Sequence, residues 1–121
     1  MIVHEFSLCE AMVRTLIEEY ERNVEAGSPP RVKTVRVVVG AMHQLVAESF
    51  HMAYEALTAD SPLAGSALVL EKIEVEGRCR ECGWEGPLTM PFFVCGGCGR
   101  SGLDITAGRE FYIKDMELED L

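Results

Sequence analysis

Two cysteine pairs, Cys79-x2-Cys82 and Cys95-x2-Cys98, stand twelve residues apart, and this spacing constrains the chain more than any other feature. Each pair can fold into a tight knuckle presenting two thiolates, and two knuckles can converge tetrahedrally on one ion with sulfur at about 2.3 Å. Gly83, Gly96, Gly97 and Gly99 supply the backbone freedom that crowding sulfurs and amides round one centre requires. Zinc is the natural occupant. Its four ligands close the shell and leave no position for a substrate water, so the expected role is structural. A thiol–disulfide switch or an iron–sulfur centre would use the same sulfurs. Four thiolates round a divalent cation leave net negative charge, which Arg78, Arg80 and Arg100 are placed to soften.

The rest of the chain can build a core of its own. Of 121 residues, 48% are hydrophobic and 26% charged, which excludes disorder and suits a small globular domain. The net charge of −9 repels phosphate backbones, so nucleic acid is not an expected partner. The longest wholly apolar stretch, Val37 to Met42 counting Gly40, is far shorter than the roughly 18 residues that a membrane span needs. The start Met-Ile-Val-His-Glu has neither the basic nor the apolar region of a signal peptide, and the expected location is the cytoplasm. Five cysteines, an odd count, fit metal ligands and free thiols in a reducing compartment.

Periodicity orders the elements. Phe6, Cys9, Val13, Leu16, Ile17, Tyr20 and Val24 recur at helical spacing and predict a helix over residues 6 to 25. Ser7 and Glu10 read as its capping box, and Gly27-Ser28-Pro29-Pro30 as its end. Val32 to Val39 predicts a strand. Phe50, Ala53, Tyr54 and Leu57 mark a second helix, which Asp60-Ser61-Pro62 closes. Ala67 to Glu76 and Arg109 to Leu118 alternate as two further strands. The expected fold is α+β: two helices on a small three-stranded mixed sheet, with an inserted four-cysteine zinc-ribbon module. Residues 1–76 plus 104–121 would form the α+β domain and 77–103 the zinc-binding module. Having few aliphatic residues, the module needs a cross-link to hold together.

Outside the cysteines, His4-Glu5 is the pair with metal chemistry. A histidine's Nδ1 and its own backbone nitrogen chelate in one ring, and further amide nitrogens extend the set toward the square plane that Ni(II) and Cu(II) accept. His4-Glu5-Phe6-Ser7-Leu8, the run Val35 to Gly40 leading into Glu48-Ser49-Phe50, and the paired knuckles, in this order, resemble the HypA/HybF family of hydrogenase nickel-incorporation proteins. The resemblance covers nearly the whole chain. It implies a nickel metallochaperone without catalytic turnover that delivers Ni(II) during maturation of nickel–iron hydrogenase. The labile nickel would be held by His4 and Glu5, and structural Zn(II) by Cys79, Cys82, Cys95 and Cys98. Also implied as partners are a P-loop GTPase maturation factor of hydrogenase or urease and the hydrogenase large subunit. In the family the histidine directly follows the initiator methionine, whereas Ile2 and Val3 intervene here and move the α-amine away from the chelate. A start at Val3 would restore the family pattern.

The competing reading is a zinc-ribbon adaptor or regulatory interaction module without nickel delivery. Gly97 to Gly102 spells G-x-G-x-x-G but overlaps a cysteine ligand and leads toward a strand, so it is not a dinucleotide fingerprint. His43 and His51 lack partners at metal spacing, although His43 could join a labile site if the N-terminus folds nearby. Cys9 reads as a small buried hydrophobe.

Overall fold

The fold comes from a computed structural model, which describes residues 2–24, 30–89 and 93–119, with side chains from Glu5 onward. Its elements are α1 (Ile2–Asn23), β1 (Arg31–Gly40), a single 3₁₀ turn (Ala41–His43), α2 (Ala47–Thr58), β2 (Ala67–Ile73), β3 (Glu76–Arg78), β4 (Glu85–Pro87), β5 (Asp104–Ala107) and β6 (Phe111–Glu119). One sheet has the strand order β2-β1-β6, built from the three strands that alternation predicts, and a second has the order β4-β3-β5.

The chain divides into two compact units. The first comprises Met1–Val37, Leu45–Leu70 and Ile113–Leu121. Here α1 packs against α2 over Cys9, Met12, Val13, Leu16, Tyr20, Phe50 and Tyr54, all buried. Side chains such as Leu16, Phe50 and Leu63 each contribute about 1.5–3 kcal/mol when fully withdrawn from water. The buried hydroxyls are satisfied: Tyr54 Oη lies 2.7 Å from Ser66 Oγ, Thr58 donates to the Tyr54 carbonyl, and Tyr20 donates to the Pro30 carbonyl.

The first helix corrects two expectations. It begins at Ile2, so Ser7 lies inside it rather than at its cap, and it ends at Asn23. The buried stripe of Cys9, Met12, Leu16 and Tyr20 continues back through Glu5 at spacings of three and four, and this carries the helix upstream. Phe6 falls off the stripe and is exposed. The expected stop at Gly27-Ser28-Pro29 lies outside the described residues.

The second unit comprises Val38–Gln44 and Glu71–Tyr112. The alternating run 67–76 is not one strand: pairing stops at Ile73 and resumes at Glu76 in the other sheet. Between them Val75 is buried, its carbonyl accepts the Leu88 amide at 2.9 Å, and Gly108 packs on its Cα. The second sheet is antiparallel, with Gly77 opposite Gly86 on one side and opposite Ile105 on the other. A bulge at Glu76/Gly77 interrupts the β3–β5 register.

Candidate metal centre

The two cysteine pairs fold into matching knuckles. In the first, Cys79 donates its amide to the Trp84 carbonyl at 2.8 Å and Gly83 returns its amide to the Cys79 carbonyl at 3.0 Å. In the second, Cys95 donates to Arg100 and Gly99 to Cys95 at the same two distances. Gly83 and Gly99, the residues after each pair, take φ of +78° and +75°, a left-handed turn that costs glycine nothing. Gly96 and Gly97 serve a different need from the one expected: they make room. A Cβ on Gly96 would stand 2.5 Å from the Trp84 ring, and one on Gly97 would stand 3.3 Å from Cys82 Sγ. Trp84, which sequence reasoning passed over, therefore reaches from the first knuckle across the second. The repeated C-x-x-C-G, with Trp84 and Arg100 in equivalent places, is the signal that could have found it.

The sulfurs gather as the spacing predicts. All four Sγ lie within 4.8 Å of one another, with Cys79 to Cys98 at 3.7 Å and Cys82 to Cys95 at 3.4 Å. Tetrahedral zinc bonds of 2.3 Å require sulfurs about 3.8 Å apart, so the set fits such an ion. Among the described residues these cysteines form the one cluster of three or more such donors.

Backbone amides prepare the site for negative charge. Gly97 and Cys98 donate to Cys95 Sγ at 3.2 and 3.3 Å, and Cys82 to Cys79 Sγ at 3.5 Å. The Cys82 amide, against an opposing loss of solvation, holds the Cys79 thiol below its ordinary range. Burial works against ionisation of Cys95, yet the Cys98 and Gly97 amides with neighbouring thiols bring it down to about 6. The Trp84 amide favours a Cys82 thiolate, but the Cys95 sulfur and burial outweigh it and push that thiol up to about 11. At the buried pair, Cys79 and Cys95, the backbone amides thus favour the thiolate. A bound cation would favour the thiolate form of its ligands further.

The arginines do not face the sulfurs as expected. Arg80 grips Asp104, its Nε 2.9 and 3.0 Å from the two carboxylate oxygens. Arg100 pairs with Glu81 at 3.2 Å and Arg78 with Glu85 at 3.5 Å, all on exposed side chains. The hydrogen bond from Arg80 holds the Asp104 carboxyl below the usual carboxylate range.

At the other candidate site, His4 and Glu5 lie in the first turns of α1 instead of preceding it. The His4 side chain lies outside the described residues. Glu5 is only 6% exposed, and its Oε2 accepts the backbone N–H of Val46, the N-cap of α2. In the 3₁₀ turn, a ring nitrogen of His43 lies 2.9 Å from the Arg109 carbonyl and the ring meets Phe111 edge-on at 5.7 Å. His51 is half-buried in α2, and neither histidine joins a metal-capable cluster of described residues. Burial alone pushes the Cys9 thiol up to about 11, in keeping with a packing role.

A family model described as "Hydrogenase/urease nickel incorporation, metallochaperone, hypA" matches residues 3–118. A hydrogenase maturation factor HypA of Solidesulfovibrio magneticus is 38% identical over 121 residues, covering 97% of this chain and 100% of the relative. That of Geotalea uraniireducens is 31% identical over 117 residues, again covering 97% and 100%. The solution structure of the Ni metallochaperone HypA from Helicobacter pylori superposes with a TM-score of 0.63 at 22% identity, covering 97% of this chain and 98% of that one. A second solution structure of HypA protein gives 0.58 at 26% identity, covering 98% and 97%.

Proposed function

The chain belongs to the HypA family of nickel-incorporation metallochaperones that serve hydrogenase maturation, and from that premise we propose how it divides its metals. The four cysteines hold Zn(II) as a structural ion, and His4 with Glu5 takes Ni(II) as releasable cargo. The observation that carries this reading is the closed sulfur set: all four thiols converge on one point, with no open position for an exchanging metal. Cargo must then bind elsewhere, and His4-Glu5, adjacent in sequence, supplies an imidazole and a carboxylate, donor types that suit nickel better than they suit a closed zinc shell. Imidazole and carboxylate also release an ion more readily than four thiolates do.

The protein on this reading turns over no substrate. It acts in the cytoplasm and hands nickel on through a P-loop GTPase maturation factor of hydrogenase or urease and to the hydrogenase large subunit. The test is a titration. Zinc-loaded protein should take up one further equivalent of Ni(II), and His4→Ala should abolish that uptake while zinc content and circular dichroism stay unchanged. Nickel uptake undiminished by the substitution would remove His4 from the site.

A further inference from the structure

The sulfur set is closed, but it is not evenly sheltered. Cys79 and Cys95, the first cysteine of each knuckle, are buried, whereas Cys82 and Cys98, the second of each, are exposed. Two approaches run across the knuckles, and each joins one of either kind: Cys98 Sγ lies 3.7 Å from Cys79 Sγ, and Cys82 Sγ lies 3.4 Å from Cys95 Sγ. A disulfide needs sulfurs about 2.05 Å apart, so each crosswise pair must close by roughly 1.5 Å. Within a knuckle the turn is already committed. The Cys82 amide donates to Cys79 Sγ, and the Gly97 and Cys98 amides donate to Cys95 Sγ. A bond from Cys79 to Cys82, or from Cys95 to Cys98, would have to reshape those turns, while a bond across leaves both standing.

We infer that the four cysteines form a peroxide-responsive thiol switch, in which oxidation joins Cys79 to Cys98 and Cys82 to Cys95 and sets a bound metal free. The ion released is the zinc of the reading above, whereas the pairing does not depend on that reading. At each pair the exposed sulfur attacks hydrogen peroxide: the S–O bond forms, the O–O bond breaks, and the departing oxygen leaves as water. The buried partner then attacks the sulfenic sulfur, so that the S–S bond forms, the S–O bond breaks and a second water leaves. Two thiolates, one peroxide and two protons from solvent thus give one disulfide and two waters, with two electrons passing from sulfur to oxygen. A disulfide sulfur is no longer the thiolate that ligates a cation. Bridges between the knuckles also restrict the unfolded states of the emptied module, so reduction can restore the site.

The experiment treats zinc-loaded full-length protein with hydrogen peroxide in the presence of a zinc-indicating dye, then maps the disulfides. Two equivalents of peroxide should release the whole of the zinc, and dithiothreitol should restore zinc binding. Cleavage after Glu81 and Glu85 places Cys79, Cys82 and the pair Cys95 and Cys98 on three separate peptides. Crosswise bridges tie all three together, and fragmentation of the linked species should read Cys79 to Cys98 and Cys82 to Cys95. Bridges within the knuckles, or the inverse crossing of Cys79 to Cys95, would overturn the pairing. Zinc retained in full against excess peroxide, or lost only as the sulfurs pass on to sulfinic acid, would overturn the switch. A chain that takes up no zinc fails the metal reading instead, and the same map on the reduced, metal-free chain still decides the pairing.

Discussion

Gly40 and Gly108 meet so closely that a Cβ on Gly40 would stand 2.1 Å from the Gly108 carbonyl oxygen. Gly108 itself, at φ of +113°, would press a Cβ within 2.8 Å of Val75 Cα. Because the neighbours are backbone, neither contact can be relieved by a side-chain rotation. Gly40→Ala should therefore cost about 3 kcal/mol or more, at the upper end of overpacking, read as a fall in the urea midpoint at unchanged slope. A loss below about 1 kcal/mol would show that the crossing yields more easily than its geometry suggests. Nothing local in the Val35 to Gly40 run reveals that need. Glu5 teaches the same lesson, for the sequence reads it only as a metal ligand, and the amide it serves lies forty-one positions on.

Among the elements, the knuckles were the most legible, since two cysteines and a following glycine need only neighbouring atoms to shape their turn. What they leave unstated is how the short strands β3, β4 and β5 stay folded. Among the described residues their unit buries few aliphatics, namely Val38, Val39, Val75 and Leu88, so the cross-link of sulfurs through a metal must supply much of their stability. Stripping the metal with a chelator should loosen this unit and expose Trp84, the single tryptophan, shifting its emission to longer wavelength. Emission that stays put on complete metal removal would mean that the indole and the glycines beneath it hold the knuckles together unaided. The pair of Arg80 and Asp104 adds a pH-dependent part. Its contribution is present above the unfolded aspartate value near 3.9 and disappears as pH falls through the lower folded value. The helix start was misread because Ser7 and Glu10 fit a capping box by spacing, whereas the stripe buried against α2 runs on to Glu5.

For the whole molecule, the net charge of −9 bears on its cargo as well as on the partners it excludes. A field of that sign concentrates divalent cations and speeds their capture. Association of Ni(II) with zinc-loaded protein should thus slow several-fold as ionic strength rises from about 0.01 to about 0.15 M, where the screening length shrinks from roughly 30 to 8 Å. A rate indifferent to salt would show that bonding at the site, and not attraction to the molecule, limits uptake. At this scale the sequence by itself determined the family, the identity of the four sulfur donors and the order of the main helices and strands. Covalent spacing and short periodicities carry that information, and they act between residues a few positions apart. Only the tertiary structure decided that α1 begins at Ile2, that Glu5 caps α2, that one alternating run divides between two sheets and that Trp84 covers the facing knuckle. Each of these is a contact between segments distant along the chain, where burial and unmet hydrogen bonds outweigh the local preferences that spacing can express.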